Sequence, residues 1–175
     1  MTEAKLVERK ARITKLNKAL AKLFPNPKIE LTFKDAWELT VAVQLSAQST
    51  DKNVNKITEK LFKKYQMLDD YVHAGATEKG RREFEQDIFA SGFYRNKAKN
   101  ILAAAKIISE ECGGRVPDSI EALLKIPGFG RKTATVVLAE AHGVLAGVTV
   151  DTHVIRFVQR YDLSDFKDPI RIEKD

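Results

Sequence analysis

The 175-residue chain is poor in the residues that build covalent or metal-held scaffolds. Cys112 is its only cysteine, so no disulfide can form within the chain. Its three histidines, His73, His142 and His153, lack the spacing of metal ligands, and we predict no metal site. No apolar run approaches the roughly 20 residues that span a bilayer, and Met1 to Lys5 do not resemble a signal peptide. These absences exclude a membrane protein and favour an intracellular one.

Charge is ordinary in amount but uneven along the chain. The formal net charge is +6 and the isoelectric point about 9.3, which fits a polyanionic partner. Residues 1–30 hold eight Lys or Arg against three Glu, and therefore most of that excess. Two interpretations stay open: the solvated face of an amphipathic helix, or non-specific attraction to phosphate.

Apolar residues recur at helical spacing, and no strand alternation is visible, so the sequence predicts an all-α protein. Thr32 with Asp35, and Asp118 with Glu121, resemble capping boxes that open helices. The expected helices are 2–24, the Thr32 cap through 47, 51–65, 67–73, 81–90, 94–112, 118–125, 131–143 and 152–162.

The segment from Ile126 to Lys132 reads Ile-Pro-Gly-Phe-Gly-Arg-Lys, between two apolar helical patterns. Its two glycines can turn the chain sharply and leave backbone N–H groups pointing outward, where they bind phosphate. We expect Gly130 to need a positive φ, so that a side chain there would strain the backbone. The residues predicted to contact DNA in this hairpin are Pro127, Gly128, Phe129, Gly130 and Arg131.

This hairpin resembles that of the helix-hairpin-helix DNA glycosylases, and specifically the endonuclease III family. Three further motifs stand in the family's order: Leu45 to Asp51, Gly92 to Ala98, and Val150 to Val154. The resemblance runs from Leu31 to Asp175. It implies a six-helix barrel domain at 30–142 that ends in the hairpin, and a second helical domain from 1–29 and 143–175.

The resemblance also implies an activity: a bifunctional DNA glycosylase and abasic-site lyase of base excision repair. Its partner would be duplex DNA with damaged pyrimidines or abasic sites, bound by a monomer in the cytoplasm or nucleoid if the source is prokaryotic. Lys132 would attack C1′ of a flipped nucleotide and form a Schiff base, while Asp151 would activate the amine. Two alternatives stay open, namely a monofunctional glycosylase and a non-catalytic DNA-binding module.

Local chemistry agrees with these roles. Lys132 falls in the first turn of an expected helix, where the helix dipole and neighbouring Arg131 disfavour an ammonium. Asp151 directly precedes an expected helix, at a position typical of an N-cap carboxylate. Taken singly, such a lysine is usually a phosphate contact and such an aspartate is usually only a cap.

Gln48 and Phe93 match the family positions whose side chains fill the hole left by a flipped base. The alternative for Phe93 is burial between helices, and for Gln48 a cap at a helix C-terminus. Three neighbouring polar residues are expected to be structural: Asp51, Asn55 and Lys56.

The family's 4Fe–4S cluster is held by four cysteines near the C-terminus, and this chain has none there. We therefore expect no cofactor within this chain, and a cluster only if a four-cysteine region is missing from it. Asp168 and Pro169 begin what looks like a helix with few residues left to complete it. The expectation is a truncated form of a longer protein, and the alternative is a naturally short relative.

Overall fold

The computed structural model describes residues 3–175, which fold entirely into helices and connections. The prediction of an all-α protein is confirmed. The expected first helix began at Thr2, which lies outside the described residues. Within them, no helix combines the length and the apolar character needed to cross a membrane. Ten α-helices are described: α1 (Glu3–Leu23), α2 (Ala36–Ser46), α3 (Asp51–Lys64), α4 (Leu68–Ala76), α5 (Glu78–Asp87), α6 (Tyr94–Glu111), α7 (Ile120–Leu123), α8 (Arg131–His142), α9 (Thr152–Arg160) and α10 (Pro169–Lys174), with a 3₁₀ turn at Phe89–Ser91.

The chain divides into two compact units. Glu30–Ala146 form one, called here the hairpin unit; residues 3–29 and Gly147–Asp175 form the other, called here the terminal unit. The sequence placed a domain boundary after residue 142, where α8 ends, and the hairpin unit also takes in the four residues that follow.

Helix α2 lies at the centre of the hairpin unit because it is apolar on nearly every side. Every residue from Trp37 to Leu45 is buried, and α2 packs against α3, α6 and α8. The rings of Trp37 and Tyr71 pack edge to face with centroids 5.1 Å apart. The larger side chains of the hairpin unit with no appreciable exposure are Leu39, Leu45, Leu61, Tyr71, Phe84, Ile88, Ile101, Ile108, Leu123 and Leu138.

The cap of α2 lies one turn later than predicted. Asp35, not Thr32, is the N-cap, and its Oδ1 accepts from the Glu38 N–H at 2.8 Å. The Glu38 carboxylate in turn accepts from the Lys34 N–H at 2.8 Å. The Thr32 N–H instead donates to Asn55 Oδ1 at 2.9 Å, so a long-range contact holds the residue that was expected to open the helix. Asn55 thus has the structural role expected of it.

The first hairpin helix is also shorter than predicted. Ser119, one residue beyond the expected Asp118, caps α7, and its Oγ accepts from the Ala122 N–H at 3.4 Å. Helix α7 keeps only Ile120–Leu123, because the chain tightens at once into i→i+3 bonds, beginning with Lys125 N–H to the Ala122 carbonyl.

The terminal unit contains α1, α9 and α10. Arg9 on α1 is 5% exposed, and its guanidinium bonds the carbonyl of Asp162 at 3.0 Å and the carboxylate of Asp165 at 2.8 Å. Asp168 caps α10 by accepting from the Arg171 N–H at 3.0 Å, with proline as the first helical residue, as the sequence predicted.

Candidate active site

The hairpin between α7 and α8 is built on one tight turn. The Phe129 N–H donates to the Ile126 carbonyl at 3.2 Å, and Pro127 and Gly128 are the two residues between. Gly128 has a φ of 83°. Proline followed by a residue with positive φ, closed by an i→i+3 bond, is the pattern of a type II turn. Gly128 is therefore the glycine whose conformation the hairpin requires.

A second constraint also restricts residue 128 to glycine. A Cβ at that position would overlap the side-chain amide of Gln44, starting with its Oε1. Gln44 lies in α2, is 6% exposed, and its Nε2 donates to the Pro127 carbonyl at 3.3 Å. The amide of Gln44 thus occupies the space that the missing side chain leaves, and it ties α2 to the turn.

Gly130 differs from Gly128, and the expected positive φ at Gly130 is wrong. It has φ −90° and ψ 173°, ordinary extended backbone, and it is the N-cap of α8. A Cβ there would meet no atom within 4 Å. What glycine provides at this position is open space in front of the first turn of α8, whose N–H groups have no acceptor within the helix.

Phe129 is the buried residue among the predicted DNA contacts of the hairpin. Its side chain is 7% exposed, and its N–H is already used in the turn. In this conformation Phe129 packs the hairpin through its side chain, and a contact of this residue with DNA stays a prediction. Pro127 is half-buried, whereas Gly128, Gly130 and Arg131 are exposed.

Lys132 is the second residue of α8, and its side chain is exposed. The helix behind it is anchored in the core, since Ala134, Val137 and Leu138 are fully buried. An exposed primary amine on a rigid helix, next to a turn that can bind phosphate, is placed to act as a nucleophile.

Asp151 is the N-cap of α9, as the sequence predicted. Its Oδ1 accepts from the N–H groups of His153 and Val154, both at 2.9 Å. These bonds fix the carboxylate at the start of the helix, where a negative charge is stabilised. Lys132 belongs to the hairpin unit and Asp151 to the terminal unit, so their cooperation stays a prediction.

Gln48 and Phe93 are both exposed, Phe93 by 70%. Burial of Phe93 between helices, the alternative considered above, is excluded. Gln48 has φ 56° and Phe93 has φ 47°, in the left-handed region that costs a non-glycine residue roughly 1–2 kcal/mol. Gln48 lies just beyond the C-terminus of α2, and Phe93 is the N-cap of α6. Strained backbone of this kind clusters at functional sites.

A cavity of about 270 Å³ lies between these two residues and the hairpin turn, with Gln44, Gln48, Phe93, Lys97 and Gly128 in its lining. Sequence reasoning missed Gln44 and Lys97. The signal was present in each case: Gln44 interrupts an apolar helix, and Lys97 falls on the buried face of α6, in helical register with Ile101. A polar residue on an apolar face indicates a specific bonding role.

The residues at hand do not fit an iron–sulfur cluster, which needs several cysteine thiolates. Cys112, the chain's only cysteine, is half-buried at the end of α6. Within residues 3–175 no three His, Cys, Asp or Glu side chains come together as metal ligands would.

Comparison with known proteins identifies the fold and the family. A family profile described as HhH-GPD superfamily base excision DNA repair protein matches residues 41–175. Endonuclease III of Synechocystis is 49% identical over 171 residues, which is 98% of this chain and 76% of that protein. Endonuclease III of Escherichia coli K12 is 37% identical over 174 residues, 99% of this chain and 76% of the relative.

Solved structures agree. A non-covalent endonuclease III–DNA complex matches with a TM-score of 0.86 at 42% identity, covering 94% of this chain and 75% of the other. A trapped endonuclease III–DNA covalent intermediate matches equally well. The profile covers most of the chain, and close relatives match over nearly all of it. The chain therefore belongs to the endonuclease III family of the HhH-GPD superfamily.

Proposed function

We propose that this chain is a DNA glycosylase and abasic-site lyase of base excision repair. The observation that carries the proposal is the exposed amine of Lys132 in the first turn of α8, in a chain that aligns with a trapped endonuclease III–DNA covalent intermediate. A covalent enzyme–DNA species requires a nucleophile, and an amine can form one with a sugar carbon as a Schiff base that water later releases.

The reaction follows from that amine. The lone pair of Lys132 Nζ bonds to C1′ of an extruded nucleotide, and the base leaves with the electron pair of the glycosidic bond and gains a proton. Nζ then loses a proton, its lone pair breaks the C1′–O4′ bond, O4′ takes up a proton, and an iminium joins Nζ to C1′. Loss of a proton from C2′ and departure of the 3′ phosphate oxygen then cut the strand, and water releases the lysine.

The other site residues serve this step. The Asp151 carboxylate accepts the proton of the attacking amine and stabilises positive charge as it develops on the sugar. The hairpin turn and the start of α8 bind phosphate through backbone N–H groups, with Gly128, Gly130 and Arg131 at that surface. Gln48 and Phe93 enter the duplex and fill the hole that base extrusion leaves.

The substrate is duplex DNA that carries an oxidised pyrimidine or an abasic site, and the chain acts on it as a monomer. The net charge of +6 supports a phosphate-rich partner. Action on chromosomal DNA implies an intracellular location, in the cytoplasm or nucleoid of a prokaryotic cell.

The test is borohydride trapping on two duplexes, one with an oxidised pyrimidine and one with an abasic site. Unaltered protein should form a reduced covalent complex with both, and Lys132→Gln with neither. Lys132→Gln should bind duplex within about tenfold of the unaltered protein, because one lost phosphate-type contact is worth roughly 1 kcal/mol. Lys125→Gln, an exposed lysine between α7 and the turn, is the matched control and should still trap.

The same assay separates the alternatives. Base release without trapping would indicate a monofunctional glycosylase, and duplex binding without base release would indicate a non-catalytic DNA-binding module. Trapping that survives Lys132→Gln would refute the assignment of the nucleophile.

A further inference from the structure

The two residues proposed to enter the duplex, called here the wedge residues, lie on separate segments of the hairpin unit. Gln48 follows the last turn of α2, and Phe93 stands between the 3₁₀ turn Phe89–Ser91 and α6. Both have left-handed backbone and both are exposed. Two side chains that enter one base stack together must be held at a fixed distance from each other. The backbone segments that carry them must therefore not move apart when the duplex opens.

One buried side chain joins those segments. Lys97 is 7% exposed, and its Nζ donates to the Leu45 carbonyl and to the Ser91 carbonyl, each at 2.7 Å. Leu45 lies three residues before Gln48, and Ser91 lies two residues before Phe93. The ammonium therefore bonds the backbone of both wedge-bearing segments at once, and it lines the cavity between them.

If residue 97 served only to fill space, a lysine there would be unfavourable, because burying its ammonium costs desolvation free energy. The buried face of α6 is otherwise apolar, with Ala98, Ile101 and Ala105 at 0–1% exposure. Both acceptors of Lys97 are neutral carbonyls, and desolvation by burial lowers the pKa of its amine. A methionine, which is unbranched and one atom shorter, would fill nearly the same space without that desolvation. What only the lysine provides is the pair of bonds to the two segments.

We propose that Lys97 is a positioning residue that clamps the Gln48 segment to the Phe93 segment, so that both wedge residues meet the duplex as one preorganised unit. This inference rests on the proposed function, because it assigns Lys97 a role in base extrusion. Lys97 acts through the wedge residues and does not touch the reacting atoms.

Lys97→Met is the direct test, because it keeps an unbranched side chain only one atom shorter and removes the donors. Single-turnover base release from a lesion duplex should fall by about tenfold or more, while affinity for undamaged duplex stays within about threefold. Lys99→Met, an exposed lysine on the same helix, is the matched control and should change neither. Equal release by Lys97→Met and unaltered protein would overturn the clamp.

A double-mutant cycle with Phe93→Ala distinguishes positioning from a general loss of structure. If Lys97 acts through the wedge, Lys97→Met should slow release much less in the Phe93→Ala background than on its own. Effects that simply multiply in the double variant would show that Lys97 acts independently of the wedge, and would overturn the proposal.

A measurement on the unaltered protein covers the case in which Lys97→Met does not fold. The Lys97 ammonium should give a protected Nζ–H signal in ¹⁵N-resolved nuclear magnetic resonance, with contacts to Leu45 and Ser91. An Nζ that exchanges as fast as surface lysines would refute the clamp. If unaltered protein releases no base, the proposed function fails while this signal still reports on the clamp, so the two failures are distinguishable.

Discussion

In each unit a buried cationic side chain bonds a segment that contains residues with left-handed backbone. The two cations differ in the groups that accept their hydrogen bonds. In the hairpin unit Lys97 bonds two neutral backbone carbonyls near Gln48 and Phe93. In the terminal unit Arg9 bonds the carbonyl and the carboxylate of Asp162, whose φ is 48°. Carbonyls do not titrate and carboxylates do. The hydrogen bonds of Lys97 should therefore be insensitive to acid, and those of Arg9 to carboxylates should be sensitive to it.

The two units also differ in how much apolar surface they bury. In the hairpin unit, side chains such as Leu39 and Ile101 have no exposure at all. Among the described residues of the terminal unit, the best-buried apolar side chains, Val158 and Ile172, are each 8% exposed, and Leu20 on α1 is 37% exposed. The terminal unit therefore gains less stability from the burial of apolar surface than the hairpin unit does.

The largest expected effect is the loss of turnover in Asp151→Asn, which tests whether the terminal unit contributes to catalysis. Asp151→Asn keeps an oxygen that can cap α9 but removes the charge, so helix content and duplex affinity should be unchanged. Turnover of a lesion duplex should fall by about 100- to 1,000-fold, the usual loss when one electrostatic group is removed from a transition state. Single-turnover kinetics of Asp151→Asn and the unaltered protein on one duplex measures this directly. Near-normal turnover would reduce Asp151 to a cap.

Leu39→Ala compared with Leu20→Ala tests the difference in apolar burial. The first leaves a cavity in the hairpin core and should lower the free energy of unfolding by about 2–5 kcal/mol. The second removes a partly solvated side chain from α1 and should cost less than about 1 kcal/mol. Urea titration, followed by the fluorescence of Trp37, the chain's only tryptophan, and by circular dichroism, measures both. Equal losses would remove the contrast between the units.

The two hairpin glycines provide a smaller contrast within one unit. Gly128→Ala should destabilise by about 1–3 kcal/mol, since φ is positive there and the methyl group would overlap Gln44. Gly130→Ala should cost at most about 1 kcal/mol, through a weaker helix cap. Its methyl group would stand in front of α8, so affinity should fall for damaged and undamaged duplexes alike. Thermal melts and binding titrations of the two variants give both comparisons, and a fall confined to damaged duplex would instead assign Gly130 to the lesion pocket.

Local signals were sufficient to predict much of this structure. Asp151 and Asp168 each stand immediately before the helix they cap, and both caps are confirmed because a cap depends on neighbours two or three residues away. The exposure of Phe93 agrees with the family position that it matches. The helix-forming periodicity also located nearly every helix.

The errors arose where a distant contact decided the outcome. Thr32 does not cap α2, and its N–H instead donates to Asn55, 23 residues away in the chain. Lys97 reaches a carbonyl 52 residues away in the chain, a pairing that no local pattern specifies. Contacts between residues far apart in the sequence, and not local propensity, determine these two features.

The smallest expected effect is a difference in acid stability between the two units, which follows from the acceptors of Lys97 and Arg9. Hydrogen bonds from Arg12 and Arg9 lower the pKa of Asp162, and those from Lys5 and Arg9 lower the pKa of Asp165. A carboxylate whose pKa is depressed by folding contributes stability that is complete above its unfolded pKa of about 3.9 and is lost as pH falls through the folded value. The terminal unit should therefore weaken below about pH 4, while the bonds of Lys97 to carbonyls persist.

Two signals separate the units in an acid titration. Trp37 lies in α2 and reports on the hairpin unit, whereas circular dichroism reports on all helices. Between about pH 4 and pH 2 the helical signal should begin to fall before the emission of Trp37 changes. Asp162→Asn with Asp165→Asn removes the titrating acceptors, so the early loss should disappear from the titration and the helical signal should already be lower at neutral pH. If both signals change at one midpoint in the unaltered protein, the two units do not differ in acid sensitivity, and the contrast between Lys97 and Arg9 has no consequence for stability.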